Sequence, residues 1–294
     1  MPEDALHPSV PVRIGTSGWS YDDWEGHVFP RSLDASDRLR FYARRFATVE
    51  IDSTYYRDPA PQVVKGWTQK TRDARGFEFS VKVHKTLTHE ALVDGDVAEV
   101  RRIAQAWRAL VADPLAQAQR LGAILLQLSP AVLRKGSSLD RLDAALDALA
   151  PHRCAVEFRN RTWHDERPGY DPDTLAILDA HNAAAVIVDG PPFPPIVAGG
   201  ADHAFVRFHG RNAERWNKPE RYYGDRYDYL YSDEELDPWA ERLAALAKEK
   251  RDVRVYFNNH VQGKAFRNGE TMEAMLEARE APVAKADSPQ QRLF

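Results

Sequence analysis

The chain has 294 residues, 43% of them hydrophobic, with a net charge of −4 and a single cysteine, Cys154. That apolar content excludes a disordered chain, and the mild negative charge argues against a broad nucleic-acid-binding surface while leaving room for a local basic cleft. One cysteine excludes a disulfide framework and a thiolate zinc site.

Residues 1–11 read as an N-terminal extension. They hold acids and prolines but no apolar core, unlike a signal peptide, and no apolar run in the chain approaches the ~20 residues of a membrane span. A cytoplasmic protein that makes no membrane contact is the expectation.

Eight short β-branched or aromatic runs follow: VRIGTS (12–17), ATVEIDS (47–53), FEFSVKVH (77–84), GAILLQLS (122–129), CAVEFRN (154–160), AAVIVDG (184–190), AFVRFHG (204–210) and RVYFNNH (254–260). Helical stretches separate most of them. SDRLRFYARRF follows Ser36 as N-cap, and PQVVKGWTQKTRD starts on a proline suited to a first turn. A longer stretch, 96–121, spaces Val100, Ile103, Trp107 and Leu110 by three and four residues and reads as broken near Asp113-Pro114. SSLDRLDAALDAL, DPDTLAILDAHN, DPWAERLAALAKEK and GETMEAMLEAR supply four more. Strands alternating with helices specify an α/β protein, most economically an irregular (β/α)8 barrel over 12–279. The irregularity falls between strands six and seven, where GPPFPPIVAGGADH carries too many prolines and glycines for a regular helix. Two long, aromatic-rich connections, after strands one and seven, read as functional loops. Residues 280–294 read as a flexible tail.

Strand parity then separates the two faces. One parity is apolar and suits the helix layer: Val49 and Ile51, Phe79, Val81 and Val83, Val156 and Phe158, Val186 and Val188, Val206 and Phe208, Val253, Val255 and Phe257. The other must point into the barrel, and it is polar: Glu50 and Asp52; Ser80, Lys82 and His84; Gln127; Glu157 and Arg159; Asp189; Arg207 and His209; Asn258 and His260. Barrel interiors are usually filled with branched apolar residues, and each buried ion costs several kcal/mol unless it is paired or meets a ligand. Any one arginine here could simply neutralise a carboxylate in a buried ion network. The set as a whole, crowded at the C-terminal strand ends where barrel enzymes act, points to a site.

Three chemistries fit that set. In the first, Lys82, Arg159 and Arg207 clamp a phosphate or carboxylate, with Arg211, Asn258, Trp19 and Tyr55 completing the binding residues. Glu50 or Glu157 then serves as general base, His209 or His84 as general acid, and Asp189 joins the catalytic set. This reading gives a hydrolase or lyase acting on a small anionic molecule. In the second, His84, Glu157, Asp189, His209 and His260 hold a divalent metal for phosphoester or endonuclease-like hydrolysis, although three cations in the same ring oppose a dication and no HxH or HExxH motif is present. In the third, the barrel binds nucleic acid or a sugar-phosphate without turnover.

IGTSGWSYDDWEGHVFP, VEIDSTYY, FEFSVKVHK, LGAILLQLSP, VEFRNRTW, VRFHGR and VYFNNHVQGKAFRN, in this order from Val12 to about Leu276, resemble the successive blocks of the family called domain of unknown function 72, or YecE-like. The resemblance implies a TIM-barrel fold, in agreement with the strand count, and assigns no activity. That barrel is broadly similar to xylose-isomerase-like proteins and zinc-dependent abasic-site endonucleases, a likeness of fold only. Three inward histidines are too few for a trinuclear zinc site, and the sequence ends its last strand in Asn258-Asn259-His260 where the family more often ends in Asn-Asn-Asp.

Overall fold

The computed structural model describes residues 9–165, 169–191, 195–216, 218–219, 221–222 and 224–286. All eight expected strands form, and all neighbours pair in parallel: β1 (Val12–Thr16), β2 (Thr48–Ile51), β3 (Glu78–Lys82), β4 (Leu121–Gln127), β5 (Cys154–Glu157), a sixth strand in two pieces, β6 (Ala184–Ala185) and β7 (Ile187–Asp189), then β8 (His203–Phe208) and β9 (Asp252–Phe257). The result is an irregular (β/α)8 barrel built as two arcs. One runs β2-β3-β4-β5-β6 and the other β7-β8-β9-β1.

The arcs meet at two seams. At the first, the sixth strand changes partner in mid-course: Ala184 and Ala185 lie beside Ala155 and Val156, whereas Ile187 to Asp189 lie beside Val206 to Phe208. At the second, β1 and β2 touch through a single bridge, Ser17 with Glu50. Below that bridge the Tyr42 hydroxyl stands in for the missing ladder. It accepts from the Thr16 N–H at 2.8 Å and donates to the Thr48 carbonyl at 3.2 Å. The strands approach so closely here that a Cβ on Gly15 would lie 2.2 Å from the Thr48 carbonyl oxygen.

The helices follow the sequence pattern with several differences: Asp34 rather than Ser36 supplies the capping side chain ahead of Arg38–Tyr42, and the last helix begins at Lys264 rather than Gly269. The stretch Val97–Trp107 does not break at Asp113-Pro114; it widens through a π-helical turn at Arg108–Ala112 and resumes over Asp113–Gln117, with Pro114 in the first turn. The helix expected from Asp237 begins four residues earlier, at Asp233, because Ser232 and Glu235 form a reciprocal capping box that places Pro238 inside the helix. Between Gly190 and Asp202 the described residues carry no helix; residues 192–194 of that Pro-rich stretch lie outside them. The long connection after β8 holds only a short helix, Ala213–Trp216, and one 3-10 turn, Asp225–Tyr227.

The start of the expected tail is not loose. Val12 donates to the Pro282 carbonyl and Ala284 to the Val12 carbonyl, so this segment pairs along the outer edge of β1. Residues 287–294 lie outside the described residues.

Inside the barrel the side chains stack in three layers. At the N-terminal strand ends, Arg254 reaches Glu78 at 2.6 and 3.1 Å and Asp252 at 2.8 Å. The middle layer is largely apolar, with Ala123, Leu125, Ala155, Val186 and Phe205 around Tyr256, whose hydroxyl donates to Ser80 Oγ at 2.7 Å. The top layer, at the C-terminal ends, is ionic.

Candidate functional site

Arg207 stands at the centre of the top layer. It is 1% exposed, and its guanidinium reaches Glu50 Oε1 at 2.7 Å, Glu157 Oε2 at 2.5 Å and Gln127 Oε1 at 2.9 Å. The alternation in β8 explains the placement: Val206 and Phe208 pack outward in the main core, so Arg207 and His209 turn in. Glu157 also pairs with Arg159, and Arg159 donates to His209 Nε2 at 3.1 Å. His209 Nδ1 lies 3.0 Å from the Asn258 side-chain amide.

Electrostatics splits the two carboxylates. Burial raises Glu50 above the ordinary carboxyl value, a rise that Arg207 and Lys82 only partly offset, and its Oε2 is buried without a hydrogen-bond partner. Burial also acts on Glu157, but Arg159, Arg207 and His209 together hold it well below the usual carboxylate range. Glu50 is thus the group that takes up a proton readily, and Glu157 is a fixed anion. His209 behaves opposite to the expected general acid. Burial, helped by Arg207 and Arg159 against Glu157, lowers it to about 3, so the ring is neutral near pH 7.

Above this layer opens a cavity of about 250 Å³ lined by Asp52, Tyr56, Lys82, Gln127, Arg207, Gly224, Arg226, Tyr227, Asn258 and His260. Lys82, the last residue of β3, is 8% exposed. Its ammonium lies 4.1 Å from the centroid of the Tyr55 ring. Among the described residues it makes no hydrogen bond and no ion pair with a carboxylate, because the nearest acids of the layer are held by arginines. Burial, with Arg207 adding repulsion, brings Lys82 down to about 8. The roof of the cavity comes from the connection after β8, and His260 in its wall is stacked on Tyr21 at 4.4 Å.

The structure therefore brings together Glu50, Lys82, Glu157, Arg159, Arg207, His209 and Asn258, with Tyr55 and His260 beside them. Other expected members lie elsewhere. Asp189 points outward, toward the helix Asp233–Glu249, where it accepts from Trp239 Nε1 at 2.8 Å, Tyr231 at 2.7 Å and Arg211 at 2.7 Å. Correspondingly Val186 and Val188 face the interior with the apolar layer, the reverse of the parity expected for strand six. Arg211 thus belongs to the outer face, paired with Asp189 and with Glu235 at 3.2 Å. A larger cavity of about 610 Å³ opens there, where Arg211 is already taken by Asp189 and Glu235. His84 is engaged by Thr86 in its own loop, at 2.8 Å, and Trp19 packs edge-on against Trp67; neither lines the inner cavity. The five metal-ligand candidates, His84, Glu157, Asp189, His209 and His260, are not gathered, and among the described residues no three His, Cys, Asp or Glu side chains are grouped to hold an ion.

Sequence reasoning assigned no role to several cavity residues. Parity places Asp52 and Gln127 inward, yet nothing in the sequence distinguishes a free carboxylate from a paired one. Tyr227 was signalled by the aromatic loop, whereas Tyr56 and Arg226 carried no signal beyond their position in loops.

The chain is similar to several proteins, three of those named here across nearly its whole length. It is 28% identical over 275 residues to the UPF0759 protein YunF of Bacillus subtilis, covering 90% of this chain and 95% of that one. An 80-residue stretch, 27% of this chain and 26% of the other, is 35% identical to the UPF0759 protein YecE of Escherichia coli. The crystal structure of a DUF72 family protein from Thermotoga maritima superposes with a TM-score of 0.77 at 32% identity, over 91% of this chain and 99% of that one. A DUF72 family protein from Enterococcus faecalis, at 23% identity and a TM-score of 0.76 over 90% and 95% of the two chains, shares the fold. No helix among the described residues is long and apolar enough to cross a membrane. Because the family model described as "Protein of unknown function DUF72" matches residues 13–293, the chain belongs to that family.

Proposed function

We propose that the protein is an enzyme, a hydrolase or lyase, that takes a small phosphate- or carboxylate-bearing molecule into the cavity at the C-terminal end of the barrel. The observation that carries this reading is Lys82, a buried ammonium in a cavity with no carboxylate partner among the described residues. An anion entering the cavity meets the Lys82 ammonium, with Gln127 and Asn258 as polar contacts beside it.

The cavity's size favours a small molecule over a nucleic-acid strand. Single-strand binding uses free aromatic faces, whereas here Tyr227 packs on Trp216 at 5.9 Å and Tyr229 on Tyr231 at 5.0 Å. Acid–base work falls to Glu50 and Asp52, with neutral His209 holding Arg159 and Asn258 in place rather than delivering a proton.

Thermal unfolding in the presence of inorganic phosphate, citrate and malonate tests the reading. A ligand at a hundred times its Kd stabilises by about 2.7 kcal/mol, which is roughly 5 °C for a chain of this size. Such a saturable rise is expected for the wild type and is expected to disappear in Lys82→Met. Equal responses in the two proteins, or no response to any of the anions, would reject the site.

A further inference from the structure

Lys82 is oddly equipped for a plain counter-ion. A lysine that serves only to balance charge sits against a carboxylate, and two carboxylates lie in its own layer. Both are taken: Glu50 by Arg207, and Glu157 by Arg207 and Arg159. What remains beside the amine is the face of Tyr55, the guanidinium of Arg207 and the open cavity. Burial next to cations favours the neutral amine, which brings Lys82 down from the ordinary lysine value to about 8. One further group in the cavity is unengaged. The Asp52 side chain makes no hydrogen bond or ion pair among the described residues, although it lines the same space.

From this geometry we propose that Lys82 is a nucleophile, condensing through Nζ with the aldehyde or ketone carbonyl of the anionic substrate to form a Schiff base, with Asp52 moving the protons. The inference rests on the anion-site reading above and narrows it to carbonyl compounds and to the lyase class. The atoms balance as follows. The Nζ lone pair adds to the carbonyl carbon and the carbonyl oxygen takes up a proton from solvent, giving a carbinolamine. Asp52 removes a proton from nitrogen and returns one to the hydroxyl, which leaves as water. The product is a protonated imine, and no oxidant or reductant takes part. The imine draws electrons from the adjacent carbon, so a C–H or C–C bond there can break heterolytically to leave an enamine; a proton from solvent returns to that carbon, and water then adds to the imine, releases the product and restores the amine. The neighbouring cations suit this chemistry twice over, enlarging the neutral share of the amine and holding the substrate's anionic group.

Reductive trapping on the full chain tests the proposal. The protein is incubated separately with glyoxylate, pyruvate, dihydroxyacetone phosphate and neutral propanal, each with borohydride, and the adduct is located by peptide mass mapping. One adduct on Lys82 is expected, at least tenfold above any other lysine, with a yield that rises through about pH 8. Lys82→Arg, which keeps the cation, is expected to lose it. Asp52→Asn is expected to slow trapping about tenfold while leaving Lys82 as the labelled residue. Adducts scattered over many lysines, or none with any probe, would overturn the proposal. Phosphate binding measured in parallel separates the two readings. Protection by phosphate without trapping sinks the imine and leaves the anion site standing. Trapping by propanal as efficient as by glyoxylate, without phosphate protection, sinks the anion site and leaves the nucleophile.

Discussion

Replacing Arg207 with methionine removes the only arginine that, among the described residues, contacts Glu50, and leaves Glu157 with Arg159. Glu50 is fully buried, so in the variant it is a nearly stranded charge. Breaking a buried pair in this way costs about 3–5 kcal/mol. The stranded carboxyl can escape by taking up a proton, and that route sets a ceiling. Starting from the ordinary value of 4.5, protonation near pH 8 costs about 4.8 kcal/mol, whereas near pH 5.5 it costs only about 1.4. A carboxyl whose folded value is raised above its unfolded one contributes stability below the unfolded value and loses it as pH rises through the folded value. The Arg207→Met change raises Glu50 further, so the deficit must grow with pH. Urea unfolding followed by tryptophan fluorescence is expected to give a loss of roughly 3–5 kcal/mol near pH 8, shrinking to about 1–2 near pH 5.5. Adding Glu50→Gln to the variant is expected to recover most of the loss near pH 8. A deficit independent of pH, or one that grows in acid, would refute the assignment of Glu50 as the stranded charge.

The opposite end of the barrel supplies a control. Arg254→Met leaves Glu78 with Arg13 alone, at 3.6 Å, and is expected to cost about 2 kcal/mol in the same assay while leaving phosphate protection and Lys82 trapping unchanged, because it lies two layers below the cavity. Activity lost in step with stability would contradict the separation of layers. For His209, ring nitrogen NMR shifts are expected to report a neutral imidazole at every pH above about 5, since its value lies near 3. A ring that titrates between pH 6 and 7 would return it to the role of general acid.

The strand count was legible because alternation and turn residues are local signals. The inward placement of Glu50, Lys82, Glu157, Arg207 and Asn258 was legible because their strand neighbours are uniformly apolar. Strand six misled for a physical reason. Its two pieces are short, and the barrel contains its own apolar layer, so Val186 and Val188 satisfy the interior as well as they would the helix side. Asp189 likewise finds full satisfaction outside, among Trp239, Tyr231 and Arg211 on elements far along the chain. Whether an acid has partners depends on such distant residues, which also explains why Lys82 could be placed in the site but its lack of a carboxylate could not be foreseen.

The two seams in the barrel give the ionic layer a mechanical meaning. Glu50, Lys82, Gln127, Glu157 and Arg159 belong to the arc β2–β6 or the residues just past it, whereas Arg207, His209 and Asn258 belong to the other arc. Backbone pairing between the arcs is thin, one bridge at Ser17–Glu50 and one changeover at Val186. The Arg207 guanidinium is therefore a rivet between two half-shells. Whatever occupies the cavity presses on the same joint, so a bound ligand is felt as slower opening of the seams, in the amide exchange of Gly18 and Val186, and not only at the residues it touches.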